Sequence, residues 1–208
     1  MSDPGPPRFD RSRGKFLRLD DYEADFAAHQ KTTLNQHGWK FERLQHFEET
    51  SASRNALRRG DWEESLRLLE DDRPELLEDS AYDRERGHYF HRVRVAEEPL
   101  TPYMQWELHA LRVQAECGLK IRVIPADAIG GIEKRLLLPE VVILGDQVLY
   151  DVVYRDTGET EGAVRFTDPE LIGPWVSFIE GFFAVGEDML TYFDRVVAPL
   201  PPPRLSGE

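Results

Sequence analysis

The segment His91-Arg-Val-Arg-Val-Ala-Glu97 indicates the fold class, because a predicted helix and a second predicted strand follow it directly. Val93 and Val95 alternate with Arg92 and Arg94, and a period of two residues is typical of a β-strand. The pattern therefore predicts a strand with one apolar face and one charged face.

A helix is predicted from Thr101 to Cys117. Thr101 is a residue type that caps helices, and Pro102 suits the first helical position. Gly118 is expected to end this helix, and Lys120-Ile-Arg-Val-Ile124 is the next predicted strand. Strand, helix and strand together predict a β-α-β unit.

A hairpin and a C-terminal helix are predicted downstream of this unit. Residues 136–144 run into the turn dipeptide Gly145-Asp146, residues 147–155 return as a strand, and residues 161–166 form another. Asp168-Pro169 then starts an aromatic helix, predicted over residues 169–193, in which Gly186 allows close approach to the sheet. We predict an α+β or α/β fold: a small mixed sheet with a β-α-β unit and hairpin, packed by the aromatic helix, with an N-terminal helical extension.

Composition divides the chain into four predicted regions. Residues 1–18 are rich in Pro, Gly, Ser and Arg, and residues 198–208 carry four prolines. Neither composition favours regular structure. The regions are a disordered basic arm (1–18), a mainly helical region (19–87), an α/β domain (88–197) and a disordered Pro-rich tail (198–208).

The charge balance excludes two classes of partner. The 208 residues carry a formal net charge of −13, which argues against nucleic acid, because phosphates must be neutralised by Lys and Arg. It argues equally against an anionic membrane surface. Cys117 is the single cysteine, no apolar run approaches the roughly 20 residues of a membrane span, and no signal peptide is apparent. We expect a cytoplasmic protein.

Residues 61–85 concentrate the negative charge, with eleven acids against three arginines. Such a run is compatible with a solvated helical face, with a docking patch for a basic protein, or with self-association into a homodimer. The candidate partner-binding residues are Asp71, Asp72, Glu75, Glu78 and Asp79.

Three segments together resemble a known family. Residues 93–107 (VRVAEEPLTPYMQWE) are similar to the signature RVRVVSEPLTDYLRFE of an uncharacterised actinobacterial domain family. Residues 118–125 (GLKIRVIP) and 141–146 (VVILGD) resemble its later motifs GxxIRxLP and FWLFD. The resemblance covers about residues 88–195 and leaves the first 80 residues as an elaboration. It implies a small cytosolic protein of unassigned activity, often encoded beside a helix-turn-helix regulator.

The element order also resembles one half of the phospholipase D fold, but the catalytic motif does not follow. That chemistry needs the pattern H-x-K-x4-D, and the nearest match is His29-Gln-Lys31 with Gln36 at the acidic position. The sequence has no zinc spacing, no phosphate-binding glycine loop and no nucleophile elbow. We therefore predict no catalytic residue, no metal and no cofactor.

One group of charged residues is a candidate ligand site. Arg92, Arg94 and Arg122 are predicted to share one face of the sheet, where three guanidinium groups could hold an anion. The alternative is that they form ion pairs with Glu107 and Asp151. The remaining candidate ligand residues are Glu98, Tyr103, Glu107 and Asp146.

These observations leave three hypotheses for function. The first is a non-enzymatic regulatory or interaction protein that binds a basic helix-turn-helix regulator through its acidic surface. The second is a degenerate phospholipase D-like enzyme or toxin that acts on a phosphate-containing substrate. The third is a small-ligand sensor whose pocket is lined by the aromatic residues of segment 169–193, although such a stripe is more often core.

Overall fold

The structure is a computed structural model that describes residues 6–133 and 137–204. The strands are β1 (Lys15–Arg18), β2 (His37–Glu42), β3 (Tyr89–Ala96), β4 (Lys120–Pro125), β5 (Glu140–Leu144), β6 (Val148–Tyr154), β7 (Thr160–Phe166) and β8 (Glu187–Asp188). The helices are α1 (Leu19–Thr32), α2 (Ala52–Arg58), α3 (Trp62–Asp71), α4 (Arg73–Glu85), α5 (Pro102–Glu116), α6 (Ala126–Ile129), α7 (Pro169–Val185) and α8 (Met189–Tyr192). Within the described residues the strands form one mixed sheet in the order β1-β7-β6-β5-β2-β3-β4-β8.

The predicted β-α-β unit is confirmed. β3 and β4 are parallel neighbours, and α5 connects them. The backbone N–H of Met104 donates to the Thr101 hydroxyl oxygen over 3.1 Å, which is the expected N-cap bond. Gly118 follows the helix with φ at +116°, a conformation that side chains with a Cβ rarely adopt.

The predicted hairpin and helix start are also confirmed. β5 and β6 pair antiparallel around the Gly145-Asp146 turn, and β7 pairs antiparallel with β6. The carboxylate of Asp168 accepts the backbone N–H of Glu170 over 3.0 Å at the start of α7. The mixed α+β class with an aromatic C-terminal helix is therefore present.

The aromatic helix is shorter than expected, because α7 ends at Val185. Gly186 passes so close to the sheet that a Cβ there would lie 2.8 Å from the Cβ of Arg122. The chain then leaves the helical path and adds β8 as a short antiparallel edge strand beside β4, before α8 begins.

Two strands lie in regions that the composition assigned to a disordered arm and to a mainly helical segment. β2, inside the region described as mainly helical, lies between β5 and β3 and is parallel to β3. β1, at the end of the expected disordered arm, pairs with β7 and buries Leu17. β2 therefore joins the β-α-β half of the sheet to the hairpin half, and residues before 88 are part of the same sheet.

Helices cover both faces of the sheet. α7 packs Ile172, Trp175 and Ile179 against an apolar face that includes Phe41 and Val93. On the opposite face α5 packs together with α2, α3 and α8, while α1 covers the β6–β7 end. In the described part of the chain, no helix is both long and apolar enough to cross a membrane.

Candidate functional site

Arg94 lies at the centre of a charged network between the sheet and α5. Its side chain is fully buried, and its Nε and Nη2 donate to one carboxylate oxygen of Glu107 over 3.0 and 2.6 Å. Its Nη1 donates to the backbone carbonyl of Val95 over 3.1 Å. The guanidinium group is therefore held by internal partners, as the ion-pair alternative for Arg94 and Glu107 expected.

The neighbouring strand supplies a second carboxylate to this network. Glu42 lies opposite Arg94 in the β2–β3 register, and Lys40 lies opposite Arg92. The Lys40 ammonium lies 2.6 Å from Glu42, and Arg92 Nε lies 3.6 Å from the other oxygen of that carboxylate. Burial acts to raise the pKa of Glu42, but the three surrounding cations outweigh it and lower that pKa to about 2.

The third acid of the network is Glu140, which lies on β5 across from Glu42. One of its oxygens accepts the backbone N–H groups of Arg43 and Leu44, each over 2.6 Å. Its other oxygen is buried and has no hydrogen-bond partner among the described residues. Burial, with the nearby charge of Glu42, raises the pKa of Glu140 to about 7.

The prediction that three arginines share one face is wrong for Arg122. Arg122 lies opposite Val93 in the β3–β4 register, so it points to the face covered by α7. Its guanidinium group lies over the ring of Phe183 and 3.7 Å from Asp188. Arg92 and Arg94 remain on the α5 face, so the three guanidinium groups do not form one anion site.

The other candidate ligand residues do not converge either. Glu98 accepts the hydroxyl of Tyr192 over 3.2 Å, and Tyr103 donates its hydroxyl to Glu49 over 2.7 Å. Asp146 lies in the β5–β6 turn, where it accepts the amide of Gln36 over 3.0 Å. The predicted ligand residues are therefore distributed over separate polar contacts.

His29, from the tripeptide that resembles the phospholipase D motif, belongs to a different polar cluster beneath α1. His29 Nδ1 lies 3.2 Å from the hydroxyl oxygen of Tyr150, which donates to Asp25 over 2.8 Å. Arg165 donates to the second oxygen of Asp25 over 2.6 Å. Lys31 is exposed at the end of α1. The described residues near His29 thus form an ordinary, partly buried hydrogen-bond cluster.

The five acidic residues that are candidates for partner binding lie at the corner between α3 and α4. All five side chains are exposed, and Asp71 pairs with Arg67 over 2.5 Å. The other four make no ion pair with any described residue. We call this surface the acidic corner, defined by Asp71, Asp72, Glu75, Glu78 and Asp79.

A cavity of about 1400 Å³ opens on one side of the described part of the molecule. It lies between the N-terminal arm, the segment after β4, and the β5–β6 strands, beside the carboxyl end of β2. Sequence reasoning missed Glu140, and it expected Asp151 to pair with Arg92, Arg94 or Arg122, whereas Asp151 pairs with Arg11. Each of these acids is the single charged residue of an otherwise apolar strand. Because a buried strand rarely carries an unpaired charge, this pattern could have indicated a site.

Residues 24–194 match a family described as Domain of unknown function (DUF6879). The chain belongs to this family. No curated protein matches the chain. Membership confirms the expectation of an uncharacterised domain family.

The DUF6879 match begins in α1, so the expectation that the first 80 residues are an elaboration is wrong for residues 24–80. The physical reason is that β2 lies in the middle of the sheet, so the sheet is incomplete without it. The acidic corner and most walls of the cavity lie inside the matched range, whereas residues 6–13 lie outside it.

Proposed function

We propose that this DUF6879 protein is a non-enzymatic binding protein whose acidic corner docks a basic partner protein. The observation that carries the proposal is that four of the five carboxylates at the corner are exposed without an ion pair in the described residues. Charges left unpaired at a surface attract an opposite charge and accelerate association with a basic protein.

Exposed apolar side chains on α4 support the same proposal. Leu77 is 50% exposed and Tyr82 is 55% exposed, on the helix that carries Glu75, Glu78 and Asp79. Protein interfaces combine apolar and aromatic anchors with a polar rim, and tyrosine is enriched among the anchors. A partner that offers Lys or Arg around an apolar patch fits this surface.

The partner class that we propose to test first is a helix-turn-helix regulator. The DNA-binding surface of such a protein is basic, because it must neutralise phosphates. The family resemblance, with its frequent neighbouring regulators, favours the same class. Docking at the acidic corner would then compete with DNA for the basic surface.

The arrangement of the charged network around Arg94 favours a binding protein over an enzyme that acts on phosphate groups. Arg94 is buried and paired with Glu107, so it has no free donor for a phosphate group. Arg122 lies on the other face. A phosphate-directed enzyme would need these cations to converge on one accessible position.

The test is affinity purification from the native host at 50 mM and 500 mM salt, followed by mass spectrometry. The variant Glu75→Gln/Glu78→Gln/Asp79→Asn removes three charges at the acidic corner. The control Glu161→Gln/Glu180→Gln/Asp194→Asn removes three exposed charges elsewhere, so both variants have the same net charge. We expect a basic partner at low salt with the wild type and the control, and its loss with the corner variant.

Two outcomes would contradict the proposal. One is that no partner is recovered at low salt. The other is that the corner variant and the control retain the partner equally, which would show that net charge or another surface is responsible. A recovered regulator would then be tested as a purified pair, with its operator DNA as competitor.

A further inference from the structure

The N-terminal arm places one aromatic ring and one cation in a slot that the sheet and α7 provide. Phe9 stacks on Phe166 at a centroid distance of 5.3 Å and on Trp175 at 4.7 Å. Two residues later, Arg11 Nε donates to the carboxylate of Asp151 over 2.6 Å. The slot opens into the cavity of about 1400 Å³ described above.

The carboxylate of Asp151 in this slot is unusual because it is a charged group in a fully buried position. Asp151 lies in the middle of β6, and its side chain has no exposed surface. One oxygen accepts from Arg11, and the other has no hydrogen-bond partner in the described residues. A buried carboxylate costs free energy unless a cation or several donors satisfy it, so this position favours a cationic group that can also donate hydrogen bonds.

The cation that pairs with Asp151 is itself largely exposed to solvent. The side chain of Arg11 is 58% exposed, in contrast to the fully buried carboxylate that it contacts. Arg11 comes from a single 3-10 turn with no buried residue. Burial raises the pKa of Asp151 despite the opposing charge of Arg11, so one exposed guanidinium group only partly satisfies it.

A second polar atom in the slot lacks a partner. The indole nitrogen of Trp175 is buried and donates to no described acceptor, although the residue lines the cavity. Buried indole N–H groups usually find an acceptor. Trp175 and Asp151 therefore line the same cavity, and each has one buried polar atom without a partner in the described residues.

We propose that this slot and the adjoining cavity bind a small hydrophobic amine. Its ammonium or guanidinium group would pair with Asp151, and its apolar body would pack on Trp175 and the apolar cavity wall around Leu138. Phe9 and Arg11 occupy the slot in the structure as an internal substitute with the same chemistry. The slot residues lie inside the family match, which starts at residue 24, and the substituting arm lies outside it.

If the arm occupies the site of an amine ligand, two substitutions should have opposite effects on the affinity for an amine. Arg11→Ala removes the internal competitor and exposes a carboxylate that needs a cation, so it should raise affinity for an amine. Asp151→Asn preserves the shape of the side chain but removes the charge, so it should lower affinity. A purely structural ion pair would give neither effect on ligand binding.

Dansylcadaverine, a fluorescent aromatic primary amine, is a suitable probe, and its N-acetylated form is the matched uncharged control. We expect saturable binding of the amine, at least a tenfold gain in affinity for Arg11→Ala and at least a tenfold loss for Asp151→Asn. The acetylated probe should bind weakly to all three proteins, because it carries no cation.

Arg13→Ala is the matched control variant, since Arg13 also ties the arm to the domain through a 2.8 Å ion pair with Asp168. It should raise the affinity much less than Arg11→Ala, because Arg13 pairs with Asp168 and leaves the Arg11–Asp151 pair in place. An equal gain for Arg13→Ala and Arg11→Ala would overturn the proposal, as would unchanged affinity in Asp151→Asn. If Asp151→Asn does not fold, the amine and its acetylated form are compared on Arg11→Ala, and equal affinities there overturn the proposal.

Discussion

The two faces of the sheet come from the same strands but are stabilised in different ways. Phe41 and Val93 on the α7 face are fully buried among apolar side chains. Their sequence neighbours Glu42 and Arg94 are almost equally buried on the α5 face, among charges. The difference shows that alternation of apolar and polar residues does not identify a solvent-exposed face when helices cover both sides.

The two faces should therefore respond differently to substitution. An apolar face loses stability as volume is removed, because buried apolar surface is lost and a cavity is left behind. A buried charged face behaves as a unit, since removal of one charge leaves its partner without compensation. Substitutions on each face can test this distinction.

Arg94→Met should have the largest effect. It leaves Glu107 buried without its cation, and loss of one member of a buried pair typically costs about 3–5 kcal/mol of unfolding free energy. Urea denaturation monitored by circular dichroism measures this cost. Arg94→Met/Glu107→Leu should recover a large part of it, because the double variant leaves no unpaired charge at that contact.

The same variants separate a structural role from a catalytic one. If Arg94 served phosphate chemistry, Arg94→Met would remove an activity without lowering stability. Unchanged stability in Arg94→Met would contradict the network described here. An equally large loss in the double variant would show that packing at this contact, rather than charge, is responsible.

Glu140→Gln should change how stability depends on pH. The folded protein keeps the proton of Glu140 up to a pKa of about 7, whereas the unfolded chain loses it near the ordinary value of 4.5. Between these values the folded state binds more protons, so this carboxyl lowers the unfolding free energy as pH rises, by up to about 1.4 kcal/mol per pH unit. Gln has no proton to lose, so the variant should gain stability relative to the wild type across that window.

The measurement is urea denaturation of both proteins from pH 4 to pH 8. Burial lowers the pKa of His109 to about 4, so this histidine raises the unfolding free energy as pH rises over part of this range. His109 is present in both proteins, and its contribution cancels in the difference between them. Glu161→Gln, an exposed position on β7, is the control and should follow the wild type. A difference between Glu140→Gln and wild type that does not vary with pH would contradict the raised pKa.

Ile143→Val tests the apolar face with a smaller effect. Ile143 is fully buried on β5 against the α7 layer, and removal of one buried methylene group typically costs about 0.5–1.5 kcal/mol. Thermal or urea denaturation at neutral pH measures it. If Ile143→Val lowered the unfolding free energy as much as Arg94→Met does, the two faces would not differ in their response to substitution.

Local sequence signals predicted the elements of this fold better than their relative positions. Thr101, Gly118 and Asp168 mark helix ends through capping and backbone conformation, which act within a few residues. The orientation of Arg122 depends on the register between β3 and β4. A shift of one residue reverses every side chain of a strand, and no local signal determines that register.

Long-range pairing accounts for most of what sequence reasoning missed. β2 contains Lys40 and Glu42, which resemble surface residues until β3 and β5 are placed beside them. Asp151 pairs with Arg11, which is 140 residues away in the chain. The exposed acids of α3 and α4 were easier to predict, because their charge requires no partner in the fold.

The acidic corner should show the smallest effect on stability and the largest effect on binding. Glu75, Glu78 and Asp79 make no ion pair with a described residue, and substitutions at exposed positions usually change stability by less than about 0.5 kcal/mol. Glu75→Gln/Glu78→Gln/Asp79→Asn should therefore melt within a few degrees of the wild type. Since the acids repel one another, a small gain is the expected direction, and it should shrink as salt screens the repulsion. A substantial loss of stability would mean that these carboxylates hold α4 in place, and their exposure would then reflect the fold rather than a partner.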